Sequence, residues 1–248
     1  MTISSTDSPD LIKPLCIKRW SMFLLVASLL ATFVAWGVTE IPALTVEPKP
    51  VGNVGMGPEN FGITQRLQRE AELPTVARVY GVLGGVTGLL LGVAAGLAGG
   101  STVKAVRAGL IGLVLGLLAG AATAYAVVPL YHRFKESVGN DIVASLGLHG
   151  TIWAPVGLVA GIAAAMALGG DSRRSSRLIV FGFFGAIVGA TVYEVAAALI
   201  FPTAETGEPI AKVNLARLLA MASLPIFTAL ALIMAIGERR KKNPPVAA

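Results

Sequence analysis

This sequence is short of the residues on which most protein chemistry depends. It has 1 cysteine and 2 histidines in 248 residues, so an internal disulfide and a thiolate metal site are both excluded. Charged residues make up only 14% of the chain, well below the roughly 25% of an ordinary soluble domain. Several motifs are also missing. There is no G-x-x-x-x-G-K-[ST] phosphate cradle, no H-E-x-x-H zinc helix and no G-x-S-x-G elbow to present a serine nucleophile. His132, Glu136, Asp141 and His149 lie near one another in sequence, but without a metal-ligand spacing they read as residues at the membrane surface. No enzymatic activity, cofactor or metal is expected.

What the chain does have is apolar length. Hydrophobic residues make up 54% of it and the mean hydropathy is +0.74, values that exclude a soluble globular class. Apolar runs occupy 22–38, 79–99, 108–128, 152–168, 178–201 and 218–236. Each is close to the ~20 residues that a helix needs to cross a ~30 Å hydrocarbon layer. They lack the alternation of barrel strands, and only helices or closed barrels satisfy the backbone inside lipid. The expected fold is therefore all-α: a polytopic helical membrane protein with six transmembrane helices in a Gly-rich bundle.

The net charge of +6 becomes informative once it is sorted by side. With the N-terminus inside, Lys13, Lys18, Arg19, Lys104, Arg107, Arg173, Arg174, Arg177 and Arg239 to Lys242 share one face with only Asp7, Asp10, Asp171 and Glu238. This is the positive-inside pattern, and it implies no nucleic-acid partner. It predicts an integral protein of the plasma (inner) membrane with both termini cytoplasmic. Partners are then the lipid bilayer itself and either a second copy or another membrane protein. Basic residues followed by Met22 to Trp36 and the small-x-small site Ala35-Trp36-Gly37 also resemble a signal peptide; the length of the run and the interfacial Trp36 favour an uncleaved anchor.

The chain divides into a polar cytoplasmic tail (1–19), a first membrane helix (20–39) and a Pro/Gly-rich extracytoplasmic loop (40–77). A hairpin of helices 2 and 3 (78–130), an interfacial amphipathic segment (131–150) and a hairpin of helices 4 and 5 (151–202) follow. An extracytoplasmic loop (203–216), a sixth helix (217–237) and a basic cytoplasmic tail (238–248) complete it. Within the first loop Ile63, Leu67 and Ala71 predict a short helix ending near Pro74. In the amphipathic segment Phe134, Val138, Ile142 and Leu146 recur at the same four-residue spacing.

Glycine recurs every fourth residue in the two hairpins: Gly84, Gly88, Gly92 and Gly96, then Gly112, Gly116 and Gly120, then Gly157 and Gly161, then Gly185 and Gly189. Residues four apart share a helix face, so such rows allow close backbone approach. Helices 2 to 5 are accordingly expected at the centre, with 1 and 6 peripheral. Sliding the sequence by 69 positions lays Gly88 on Gly157, Gly92 on Gly161, Gly116 on Gly185 and Gly120 on Gly189 without a gap. Either the hairpin is duplicated in parallel, or Gly- and Ala-rich sequence is matching itself.

Glu194 is the single carboxylate inside any of the apolar runs. It follows Gly182, Ala186 and Ala190 at four-residue steps, so it faces protein rather than lipid. The 69-residue shift places it on Tyr125, which suggests a Glu194–Tyr125 contact between the hairpins, with Tyr193 as a further hydroxyl nearby. Two roles are open. The first is a non-enzymatic bundle acting as scaffold or accessory subunit; the alternative is a small transporter or channel that uses Glu194 for proton or cation coupling.

Overall fold

The computed structural model describes residues 9–41, 44–46, 58–138, 141–169, 172–202 and 207–237. The described residues contain six helices and no strands: α1 (Pro9–Thr39), α2 (Pro58–Ala98), α3 (Thr102–Val138), α4 (Asp141–Leu168), α5 (Ser172–Ile200) and α6 (Asn214–Gly237). All six are long and apolar enough to cross a membrane. The chain is thus an integral membrane protein by architecture, with successive helices running up and down.

The connection between α2 and α3 shows how tightly these hairpins close. Gly100 takes φ of 77°, and the Gly100 and Ser101 N–H groups donate back to Leu97 and Gly96 at 2.9 and 3.1 Å. This double bond pattern ends a helix, and it needs a residue without a Cβ at the left-handed position. Ser101 then caps α3 through its hydroxyl, which accepts from Lys104 N–H at 3.3 Å. Gly169, at φ of 59°, ends α4 in the same backbone region.

Backbones meet along α2 and α3. A Cβ on Gly84, Gly88 or Gly92 would collide with the carbonyl of Gly116, Gly112 or Ala108, and one on Gly96 with the backbone of Ala105. Gly120 lies just as close to the Tyr80 carbonyl. In the second hairpin Gly157 abuts Gly182, and Gly161 abuts Leu178 and Ile179. Gly185 and Gly189 turn away from α4, toward Phe227 and Ser223 of α6.

Three sequence expectations need correction. Helix 3 is not central: 28% of its best apolar window is buried, against 67% for α2 and for α4, so α2 and α4 form the middle and α3 flanks it. α6, at 50%, is more enclosed than α5, at 44%. Secondly, the helix expected to stop near Pro74 runs straight through it. The Thr75 hydroxyl donates to Ala71 O at 3.0 Å and accepts from Val46 N–H at 2.9 Å, which ties the preceding loop to this turn of the helix. Thirdly, 131–150 is not a separate interfacial helix. Residues 131–138 are the end of α3 and 141–150 the start of α4, so the four-residue apolar spacing belongs to two transmembrane helices rather than one surface helix.

The end of the bundle that carries the α5–α6 connection is strongly tied down. Tyr80 and Tyr131 donate their hydroxyls to Pro209 O and Gly207 O at 2.7 and 2.6 Å. Arg217 pairs with Glu40 at 2.8 Å, Lys135 with Glu208 at 3.5 Å and His132 with Glu72 at 3.1 Å. The tyrosine and Lys135 bonds hold 207–209 against the middle of α2 and the end of α3, while His132–Glu72 joins α3 to α2.

Candidate functional site

Beneath that cover, a polar cluster joins α4 to α5. Ser145 and His149 are one turn apart on α4 and so share a face. Glu194 reaches them from α5: Oε2 accepts from the Ser145 hydroxyl at 2.7 Å and Oε1 lies 2.5 Å from His149 Nδ1. Nδ1 is also 3.2 Å from the carbonyl of Ser145. The carbonyl can only accept, so the tautomer that fits both contacts carries its proton on Nδ1. Both carboxylate oxygens are then occupied by donors, as a buried carboxylate requires.

The cluster is deep. His149 is 1% exposed and Glu194 5%. Measured along the helices at about 1.5 Å per residue, His149 lies roughly 12 Å from the start of α4 and Glu194 roughly 9 Å from the end of α5. Aromatic rings enclose the imidazole edge-on: Tyr193 at 5.1 Å, Trp153 at 5.5 Å and Tyr80 at 6.3 Å between centroids. Their burial in one apolar cluster with Leu83, Leu148 and Ile152 leaves a dry wall around the polar atoms. In a medium of low polarity each bond in such a set is stronger, and an unpaired member is correspondingly costly.

Two of the three polar candidates from the sequence meet here. Tyr193 is fully buried against His149 and neighbours Glu194 in the chain. Tyr125 does not join them. It is 60% exposed on the outer side of α3, and the partners of Glu194 are Ser145 and His149. The glycine candidates sit at helix crossings, where they meet the backbone of the facing helix.

His149 and Ser145 were missed because the fourth apolar run was started at Ile152, which left both outside the membrane. A usable signal existed. Ala144, Leu148, Ile152 and Val156 form a four-residue apolar row that extends the helix upstream, and all four are buried. Ser145, His149 and Trp153 form the adjacent row. The other histidine, His132, bonds Glu72, and no three His, Cys, Asp or Glu side chains converge among the described residues; the Glu136 and Asp141 side chains lie outside those described.

The chemistry open to this cluster is narrow. Ser145 donates to the Glu194 carboxylate and not to the imidazole, so the hydroxyl and His149 do not form a serine–histidine nucleophile pair. The arrangement can hold two helices in register, or hold a proton between Glu194 and His149. Comparison with protein families, curated proteins and solved structures finds no match to this chain.

Proposed function

We propose that the chain is a non-enzymatic membrane scaffold or accessory subunit, in which the Ser145–His149–Glu194 cluster pins α4 to α5. The observation that carries this reading is the inward closure of the cluster: its donors and acceptors meet one another behind aromatic rings. A conduit for a charged solute needs polar groups presented to a path. The glycine rows fit the same role, since backbone contact between α2 and α3 makes a stiff platform. Parallel duplication of the hairpin is supported by Gly100 and Gly169, which lie 69 residues apart and both adopt left-handed φ where a helix ends.

A second reading, a small proton-coupled transporter or channel, draws on one feature. Glu194 and His149 are close enough to share a proton. Proteoliposome proton flux separates the two roles. For a scaffold, neither the native chain nor Glu194→Gln adds flux above empty vesicles. A pH-dependent flux in the native chain that Glu194→Gln abolishes, with folding intact, establishes transport instead.

The orientation with both termini cytoplasmic, in a plasma (inner) membrane, rests on the sidedness of the basic residues. A cysteine placed at Ser176 should be shielded from an impermeant thiol reagent added outside intact cells, whereas one at Val213 should react. The reverse pattern inverts the topology.

A further inference from the structure

Between the last turns of α3 and the first turns of α4 lies an apolar groove of about 530 Å³. Leu130 and Phe134 wall it on one side and Val143, Gly147 and Thr151 on the other, with Arg133 at the rim. Leu130, Phe134 and Val143 are exposed, so the groove opens sideways, out of the bundle. Arg133 is exposed as well and pairs with no carboxylate among the described residues, whereas neighbouring Lys135 is engaged with Glu208 and lies over the Tyr131 ring.

Depth decides what fills such a groove. Its walls belong to membrane-spanning segments, Arg133 being two residues from the end of the α3 span. Water is a poor occupant, because each molecule needs two to four polar partners and the walls are mostly apolar. Hydrocarbon chains are the surrounding solvent at this depth, and they match the walls. The Arg133 guanidinium above them, with no carboxylate partner among the described residues, faces the level of lipid headgroups, where a phosphate offers it two parallel hydrogen bonds.

From this juxtaposition we infer that the α3–α4 groove is a binding site for one anionic phospholipid, with an acyl chain in the groove and the phosphate on Arg133. The lipid then lies behind the α4 turn that carries Ser145 and His149, because groove residues Ala144 and Leu148 adjoin them in the helix.

Native mass spectrometry of the delipidated full chain, titrated with phosphatidylglycerol or phosphatidylcholine of equal chain length, tests the site. One phosphatidylglycerol should bind per chain, roughly tenfold more tightly than phosphatidylcholine, the scale of one charge-assisted pair. Arg133→Gln should erase that preference. Gly147→Leu should weaken both lipids, since a Cβ there meets nothing within 4 Å and the side chain can fill the groove without distorting the fold. Unchanged thermal unfolding in both variants excludes misfolding as the cause. Retention of the preference in Arg133→Gln, undiminished binding in Gly147→Leu, or a lipid-free dimer that Gly147→Leu dissolves would each overturn the assignment.

Discussion

The two hairpins carry the same glycine spacing yet bury different faces, and the difference accounts for the polar cluster. In α2–α3, Gly88 meets Gly112; in α4–α5, Gly157 meets Gly182, whereas a strict 69-residue shift would place Phe181 there. The contact is displaced by one residue. A helix turns about 100° per residue, so this slip presents a neighbouring row of α5 to its partner. In α3 the contact row is Gly112, Gly116, Gly120 and the buried Ala124. In α5 it is Gly182, Ala186, Ala190 and Glu194, all buried.

The row of α3 that corresponds to this α5 row is Leu113, Leu117, Ala121 and Tyr125. It lies at the edge of the contact with α2, beside Gly81 and Gly85, and its Leu117 and Tyr125 are exposed. The α5 row that corresponds to the α3 contact row contains Gly185 and Gly189, which α6 covers. Equivalent positions in sequence thus hold a phenol facing out and a carboxylate facing in. α6 covers the Gly185 and Gly189 row of α5, whereas Leu117 and Tyr125 of α3 stay exposed.

The largest effect should come from the hairpin with the closest backbones. Gly88→Leu would push a branched side chain into the Gly112 carbonyl, which cannot retreat without separating the helices. Overpacking of this kind costs about 1–3 kcal/mol and sometimes more. We expect a clear fall in the unfolding temperature in detergent, while Tyr125→Leu, on the outer face, should change it little. Equal effects from the two would mean that α3 is not oriented as described.

The extent to which the sequence revealed this architecture follows from the same physics. Six spans were legible because burying a helix in lipid demands a long apolar run, and each run is unbroken. Glu194 was legible as a protein-facing residue from the small side chains at four-residue steps. Its partner was not. A one-residue slip between two antiparallel helices leaves the composition of both unchanged, so the 69-residue shift pointed to Tyr125 when packing supplied Ser145 and His149. The length of α4 was hidden for a related reason: a serine, a histidine and three glycines between residues 145 and 157 dilute the hydropathy of its first turns, although their side chains are satisfied within the bundle.

The smallest effect to be measured is also the most specific to the α4–α5 contact. Glu194→Ala removes the acceptor for two donors buried on α4, and leaving such groups unsatisfied costs about 1–3 kcal/mol. Glu194→Gln retains an acceptor and should cost less, although its amide can offer only one oxygen where the carboxylate offered two. Ser145→Ala deletes one bond and fits the available space. If Ser145 and Glu194 hold the helices together, the double variant Ser145→Ala/Glu194→Gln should be less unstable than the sum of the single changes, by roughly 0.6 kcal/mol and at most about 1.7, the range for hydrogen bonds between membrane helices. Pairing Tyr125→Phe with Glu194→Gln in the same cycle should give strict additivity, because the phenol lies on the outer face of α3. Coupling between Tyr125 and Glu194, with none between Ser145 and Glu194, would restore the strict 69-residue register and remove the one-residue slip as the origin of the cluster.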